Sequence, residues 1–280
     1  MRAATSLLRR WASYLGVCAL LPSSAWAQAT DVTFPGPQGV ELHGVQYRPG
    51  GTGPFPAVVA LHGCGGLYDH SGALNARHAD WGERLAAQGF LVLFPDSFGS
   101  RGLGSQCSTT GRAIRPGRER AADAEAAKAY LQARPDVKPT AVSLLGWSNG
   151  GSTVLYAAGA RVSDGRPPFA RAVAFYPGCR ALAERGWHDR VPLQILVGGA
   201  DDWTGAAACQ SLAAAAQARG EPVAITVYPG AYHDFDHPAL PIRERRGLAH
   251  TVAGDGVAHV GTDPAAREDA LIRVPAFLAR

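Results

Sequence analysis

Ala141-Val142-Ser143-Leu144-Leu145-Gly146-Trp147-Ser148-Asn149-Gly150-Gly151-Ser152 is the stretch that decides the fold. Ala141–Leu145 reads as a strand, and helical character resumes over Ser152–Ala160. Between them Gly146-Trp147-Ser148-Asn149-Gly150 matches G-x-S-x-G, in the strand-to-helix setting that gives this pattern meaning. A serine on so sharp a turn projects its hydroxyl, and the glycines two residues to either side leave room for neighbouring backbone. The following helix aims its first N–H groups at the same point, which favours developing negative charge. Ser148 is therefore the candidate nucleophile; the plainer alternative is a glycine-rich turn in which it only caps the helix.

Outward from this turn, strands and helices alternate. Val40–Tyr47, Ala57–Leu61, Phe90–Phe94, Ala172–Tyr176, Leu193–Val197 and Ala224–Tyr228 read as strands. Asp80–Ala87, Arg118–Ala133, Ala206–Ala218 and Ala265–Ala279 read as helices, the last opened by Asp263-Pro264. The glycine- and arginine-rich segment Gly99–Gly117 reads as a long surface loop. Such alternation specifies a mostly parallel sheet covered on both faces, in one α/β domain over residues 28–280 with no linker or repeat. In such sheets ligands bind at the carboxyl ends of the strands.

With 46% hydrophobic and 18% charged residues in 280, the composition is that of a packed globular protein, not a disordered one. Arg2, Arg9 and Arg10 are the basic residues of the first 27, which hold no acid; the remainder carries 24 basic against 23 acidic residues. That near-neutral body argues against a nucleic-acid partner. Arg115, Arg118 and Arg120 read as solvated surface, as do Arg243, Arg245 and Arg246.

Residues 1–27 have the parts of a secretory signal: Arg9-Arg10, an apolar run from Trp11 to Leu21, and Ala25-Trp26-Ala27 as cleavage site. The run is too short for a membrane span, so no stable membrane anchor is expected. Arg9-Arg10 leaves open twin-arginine rather than general export. The reading is a periplasmic or secreted chain cleaved near Ala27 and starting near Gln28. Cys64, Cys107, Cys179 and Cys209 are then an even set in an oxidising compartment, which suggests disulfides.

A serine hydroxyl needs a base, and the base an orienting carboxylate. With this kind of elbow the chain order is serine, acid, histidine. His233, in a short loop just past the strand ending at Tyr228, is the candidate base, with His237 second. Leu193–Val197 leads into Asp201 and Asp202; Asp201, nearer the strand end, is the preferred acid, and Asp202 reads as a helix cap. Asp189 and Asp234 read as surface acids. The His233/His237 spacing suits a metal only on a helix, whereas Pro229, Gly230 and Pro238 make a loop, so no metal is expected.

The negative oxygen of a tetrahedral intermediate needs two N–H donors. One is expected from Asn149, the other from Cys64 in Leu61-His62-Gly63-Cys64-Gly65-Gly66, with His62 structural. Cys64 and Cys107 then follow consecutive strands at one edge of the cleft, and Cys179 and Cys209 another neighbouring pair. The expected disulfides are Cys64–Cys107 and Cys179–Cys209. Trp147 and Trp203 flank catalytic candidates and read as pocket residues or equally as core; Arg101 is a candidate for recognising a substrate carboxylate, with solvated surface as the alternative.

Taken together, the His-Gly loop, Phe94-Pro95-Asp96-Ser97-Phe98, the Gly-Trp-Ser-Asn-Gly-Gly elbow, Phe175-Tyr176-Pro177-Gly178 and Gly199-Ala200-Asp201 before His233 resemble the dienelactone hydrolase family of α/β-hydrolases, from about Pro56 to His233. The resemblance implies an eight-stranded core sheet and cofactor-free hydrolysis of a small-molecule ester or lactone. Family members that open dienelactone use cysteine where this chain has Ser148, and a glutamate where it has His62-Gly63. A serine has no accessible thiolate and needs no such partner, so the two differences agree with each other. The expectation is an exported serine esterase, monomeric or weakly self-associating. The same triad would serve a peptidase or polyester depolymerase, and a non-catalytic binding protein is the alternative of another class.

Overall fold

The computed structural model describes residues 28–160 and 165–280; the secretory signal read at residues 1–27 lies outside them. Strands β1 (Ala29–Pro35), β2 (Glu41–Tyr47) and β3 (Phe55–Leu61) precede helix α1 (Ala76–Ala87) and strand β4 (Leu91–Pro95). Helix α2 (Ala121–Gln132), strand β5 (Val137–Trp147), helix α3 (Asn149–Gly159) and strand β6 (Ala172–Phe175) follow. A short α4 (Arg180–Ala183) leads to β7 (Leu193–Gly198), α5 (Ala206–Ala218) and β8 (Val223–Tyr228). After β8 come a two-stranded ribbon, β9 (Arg243–Arg245) with β10 (Ala258–Val260), and then α6 (Pro264–Leu278).

Eight strands form one sheet in the order β1-β2-β4-β3-β5-β6-β7-β8. β2 runs antiparallel to β1 and β4, and the remaining neighbours are parallel. Alternation along the central strands explains why they read as unbroken apolar runs. Val59 and Leu61 of β3 join one core with Leu144, Ile195 and the inner faces of α2, α3 and α5. Val58 and Ala60 point the other way, into a second core with Phe94, Trp147, Phe175, α1 and α6. Strands buried on both faces need no polar side, so a period of two is invisible in them.

The structure adds elements that the chain's patterning did not announce. β1 is an edge strand whose one fully buried side chain is Phe34, and β5 starts at Val137, four residues before the expected Ala141. Asp263 caps α6 as expected, accepting from the Ala266 N–H at 2.9 Å. Both expected disulfides, Cys64–Cys107 and Cys179–Cys209, are present.

Candidate active site

Ser148 sits between β5 and α3 with φ 53° and ψ −115°, a positive-φ conformation rare for a residue with a side chain. The flanking glycines explain how the turn closes. A Cβ on Gly146 would lie 2.5 Å from the Gly150 carbonyl oxygen, and one on Gly150 would lie 2.1 Å from the Leu61 oxygen. No side chain fits at either position. The turn is held by Ser148 N–H donating to the Phe175 carbonyl at 2.9 Å and Ser152 N–H donating to the Ser148 carbonyl at 2.8 Å.

The loop after β3 passes beside this turn: a Cβ on Gly63 would lie 3.6 Å from the Ser148 Cβ. Ser148, Asn149 and Cys64 together line a cavity of about 650 Å³ with Trp203 and Thr204. Neither the Cys64 nor the Asn149 N–H donates within the described residues. His62 is fully buried, its Nδ1 2.8 Å from the Gly63 carbonyl, and burial followed by the nearby Arg120 charge pushes its pKa well below 6.5. The Nδ1 contact ties the ring to the loop's own backbone.

Arg120 corrects the reading of its cluster as solvated surface. It is wholly buried, donating to Asn149 Oδ1 at 2.5 Å and to the His62 carbonyl at 2.7 Å. One guanidinium thus ties the loop after β3 to the residue following Ser148. Burial lowers its pKa to about 9. In a run of arginines nothing local marks this one as internal.

His233 lies in the turn after β8, and Asp201 in the turn after β7. His233 Nδ1 is 2.8 Å from Asp201 Oδ2, and both side chains are 1% exposed. Asp201 Oδ1 accepts from the N–H groups of Trp203 and Thr204, each at 2.9 Å, and Oδ2 accepts from the Thr204 hydroxyl at 2.9 Å. Burial raises the Asp201 pKa, but His233 and these donors outweigh it, and the net shift is downward. For His233 burial acts to lower the pKa, and the Asp201 charge and hydrogen bond overcome it to raise it above 6.5. Tyr176 and Trp203 pack against the imidazole, with ring centres 4.4 and 4.7 Å away. His233 Nε2 is buried without a hydrogen-bond partner, and Ser148 Oγ makes no hydrogen bond within the described residues.

Asp202 faces away from His233, 2.7 Å from Nδ1 of His259 in β10 and accepting the His259 N–H at 2.8 Å. His237 accepts at Nδ1 from the Ala239 N–H, at 3.2 Å. Among the described residues no three His, Cys, Asp or Glu side chains are grouped as metal ligands, and no helix is long and apolar enough to cross a membrane.

Two expected pocket residues lie elsewhere. Trp147 is fully buried, its Nε1 donating to Asp236 at 2.7 Å, because alternation in β5 sends it into the core shared with α1 and α6. Arg101 is held by Asp123 through two bonds of 2.9 and 2.7 Å and by the Ser97 carbonyl at 2.7 Å. Trp203 does line the cavity. Asp189 is buried, which pushes its pKa up to about 7, and is no surface acid. Nor is Asp234, which pairs with the Arg77 guanidinium. Arg77 also donates to the Tyr176 hydroxyl at 2.9 Å, and that hydroxyl donates to Asp236 at 2.5 Å. This network, carried by α1 and the segment after His233, braces the His233 turn; its members are scattered through the sequence without a motif.

Comparison with known proteins fits this architecture. A Synechocystis sp. protein named "Putative carboxymethylenebutenolidase" is 29% identical over 133 residues, 44% of this chain and 51% of that protein. The chain thus matches about half the length of this curated relative. Among solved structures, a dienelactone hydrolase-like promiscuous phosphotriesterase from metagenomic libraries superposes with a TM-score of 0.66 at 22% identity, covering 90% of this chain and 97% of that one. Thermogutta terrifontis esterase 2 gives 0.63 at 18% identity, covering 90% and 94%. These two likenesses establish the fold. The sequence model of the dienelactone hydrolase family matches residues 42–280, and the chain belongs to that family.

Proposed function

We propose that the protein is an exported serine hydrolase of carboxylic esters or lactones. In this reading His233 Nε2 accepts the Ser148 proton as Oγ attacks the acyl carbonyl. Asp201 fixes the imidazole tautomer and stabilises the imidazolium, and the N–H groups of Asn149 and Cys64 receive the oxyanion. The imidazolium then protonates the leaving alkoxide. Water, deprotonated by His233, attacks the acyl-enzyme and frees the acid and Ser148.

The observation that carries this reading is the state of the His233 ring: Nδ1 is tied to a buried carboxylate while Nε2 is left without a partner. An imidazole so arranged has one nitrogen committed to orientation and the other open for proton transfer. Family membership favours esters and lactones over the peptidase and polyester alternatives. The two disulfides, together with the leader pattern at residues 1–27, support export.

The test is hydrolysis of a panel of p-nitrophenyl esters of increasing acyl length and simple lactones by wild type and Ser148→Ala. Turnover that falls by at least about 10³-fold in the variant supports the reading. Wild-type protein that turns over no ester or lactone in the panel refutes it.

A further inference from the structure

The cavity beside Ser148 is charged with one sign. Arg112, Arg115 and Arg118 reach it from the segment leading into α2, and Arg180 and Arg185 from in and just after α4; Glu184 is the sole acid among its described lining residues. Outside these six, residues 28–280 carry 19 basic against 22 acidic residues. Positive charge is thus gathered in the cleft of an otherwise slightly acidic body.

These arginines also lack the partners that others on the chain have. Arg134, Arg219 and Arg273 each engage a carboxylate through two nitrogens. In the cleft Arg115 and Arg118 share one carboxylate, Glu119, at 3.6 and 3.8 Å. No carboxylate lies within ion-pair distance of Arg112, Arg180 or Arg185 among the described residues. Arg112 is half-buried with a single carbonyl, that of Gln106, 2.9 Å from Nε, and its charge repels Arg120 and His250. A guanidinium partly removed from water with no counter-charge keeps its forked donors available to an incoming anion.

We propose that this cleft selects esters bearing two or more carboxylates, held by arginines on two separate elements while Ser148 meets the ester carbonyl. Two groups of arginines, one before α2 and one around α4, are more than a single carboxylate can occupy. The proposal deepens the serine-hydrolase reading and rests on it for the chemistry, though not for the binding.

Two measurements separate them. The first compares kcat/KM for p-nitrophenyl butyrate, the mono-p-nitrophenyl ester of glutaric acid, and that of tricarballylic acid, which carry none, one and two charges. The values rise at each step, by about tenfold or more overall, and the preference collapses between about 0.02 and 0.5 M sodium chloride. The second is calorimetry on Ser148→Ala with tricarballylate and its neutral trimethyl ester. The trianion binds and the ester does not; Arg112→Gln and the double variant Arg180→Gln/Arg185→Gln each weaken binding several-fold, while Arg273→Gln, outside the cavity, leaves it unchanged. Equal kcat/KM for the neutral and dianionic esters, or tricarballylate binding no tighter than its trimethyl ester, overturns the proposal. Ser148-dependent cleavage without charge preference leaves the hydrolase reading standing alone. Tight tricarballylate binding without turnover of any ester keeps the anion site and removes the hydrolase.

Discussion

Asp201 and Asp202 are adjacent in the chain, and each faces a histidine Nδ1, at 2.8 Å in His233 and 2.7 Å in His259. The contacts are nearly identical and their surroundings are not: the first pair is 1% exposed at both side chains, the second 40%. At the surface, water and salt reduce such a pair to about 1 kcal/mol or less, so Asp202 serves mainly to pin β10 to the turn after β7. Inside, the same charge acts through a less polarisable medium, and it overcomes the burial that would otherwise lower the His233 pKa. Burial, more than contact distance, separates a carboxylate that can tune a base from one that fastens a ribbon.

The sharpest way to break that distinction is to remove each charge in turn. Asp201→Asn is expected to lower kcat/KM by about 10³- to 10⁴-fold, whereas Asp202→Asn changes it by less than about threefold, measured on the best ester of the panel. Comparable losses would mean that the two carboxylates share a role.

Buried polarity outside the His233 pair should show itself in stability. Asp236 accepts from the Trp81 and Trp147 Nε1 groups at 2.8 and 2.7 Å and from the Tyr176 hydroxyl. Asp236→Ala strands all three donors in the core and is expected to cost about 3 kcal/mol in urea unfolding. Asp269→Asn, at the half-exposed pair with Arg273, should cost no more than about 0.5 kcal/mol. A smaller effect concerns Arg120: Arg120→Met leaves the loop of Cys64 and the residue after Ser148 untied, and kcat should fall about tenfold or more with KM little changed.

Proton affinity gives the finest comparison. His233 must be neutral to act as base, so kcat/KM rises with pH through its pKa, which the Asp201 carboxylate holds above 6.5. Replacing that carboxylate with an amide removes the cause, and the acid limb of the residual Asp201→Asn activity moves to lower pH. In Asp202→Asn it stays in place. A limb that shifts equally in both variants would assign the tuning to general surface charge.

What was legible in the chain follows from how local each signal is. The elbow at Gly146–Gly150 could be read because strand, turn and helix are contiguous, and closure of Gly146 against the Gly150 carbonyl and of Gly150 against that of Leu61 demands glycine at two fixed positions. His233 and Asp201 could be read because each follows a recognisable strand by a few residues. The buried network could not: Arg77, Tyr176 and Asp236 lie on distant segments, and no spacing rule joins α1 to the turn after β8. Arg120 was hidden for the opposite reason, being surrounded by arginines that do face solvent. The edge strand β1 carries little pattern in the sequence, because Phe34 is its single fully buried anchor.

The central claim is that Ser148 is the nucleophile, and the most direct measurement is the site of covalent labelling. Wild-type protein treated with a fluorophosphonate and digested should yield one phosphonylated peptide, modified at Ser148. Labelling should be lost in Ser148→Ala and strongly slowed in Asp201→Asn. Labelling that persists in Ser148→Ala, or maps to another residue, would contradict the account.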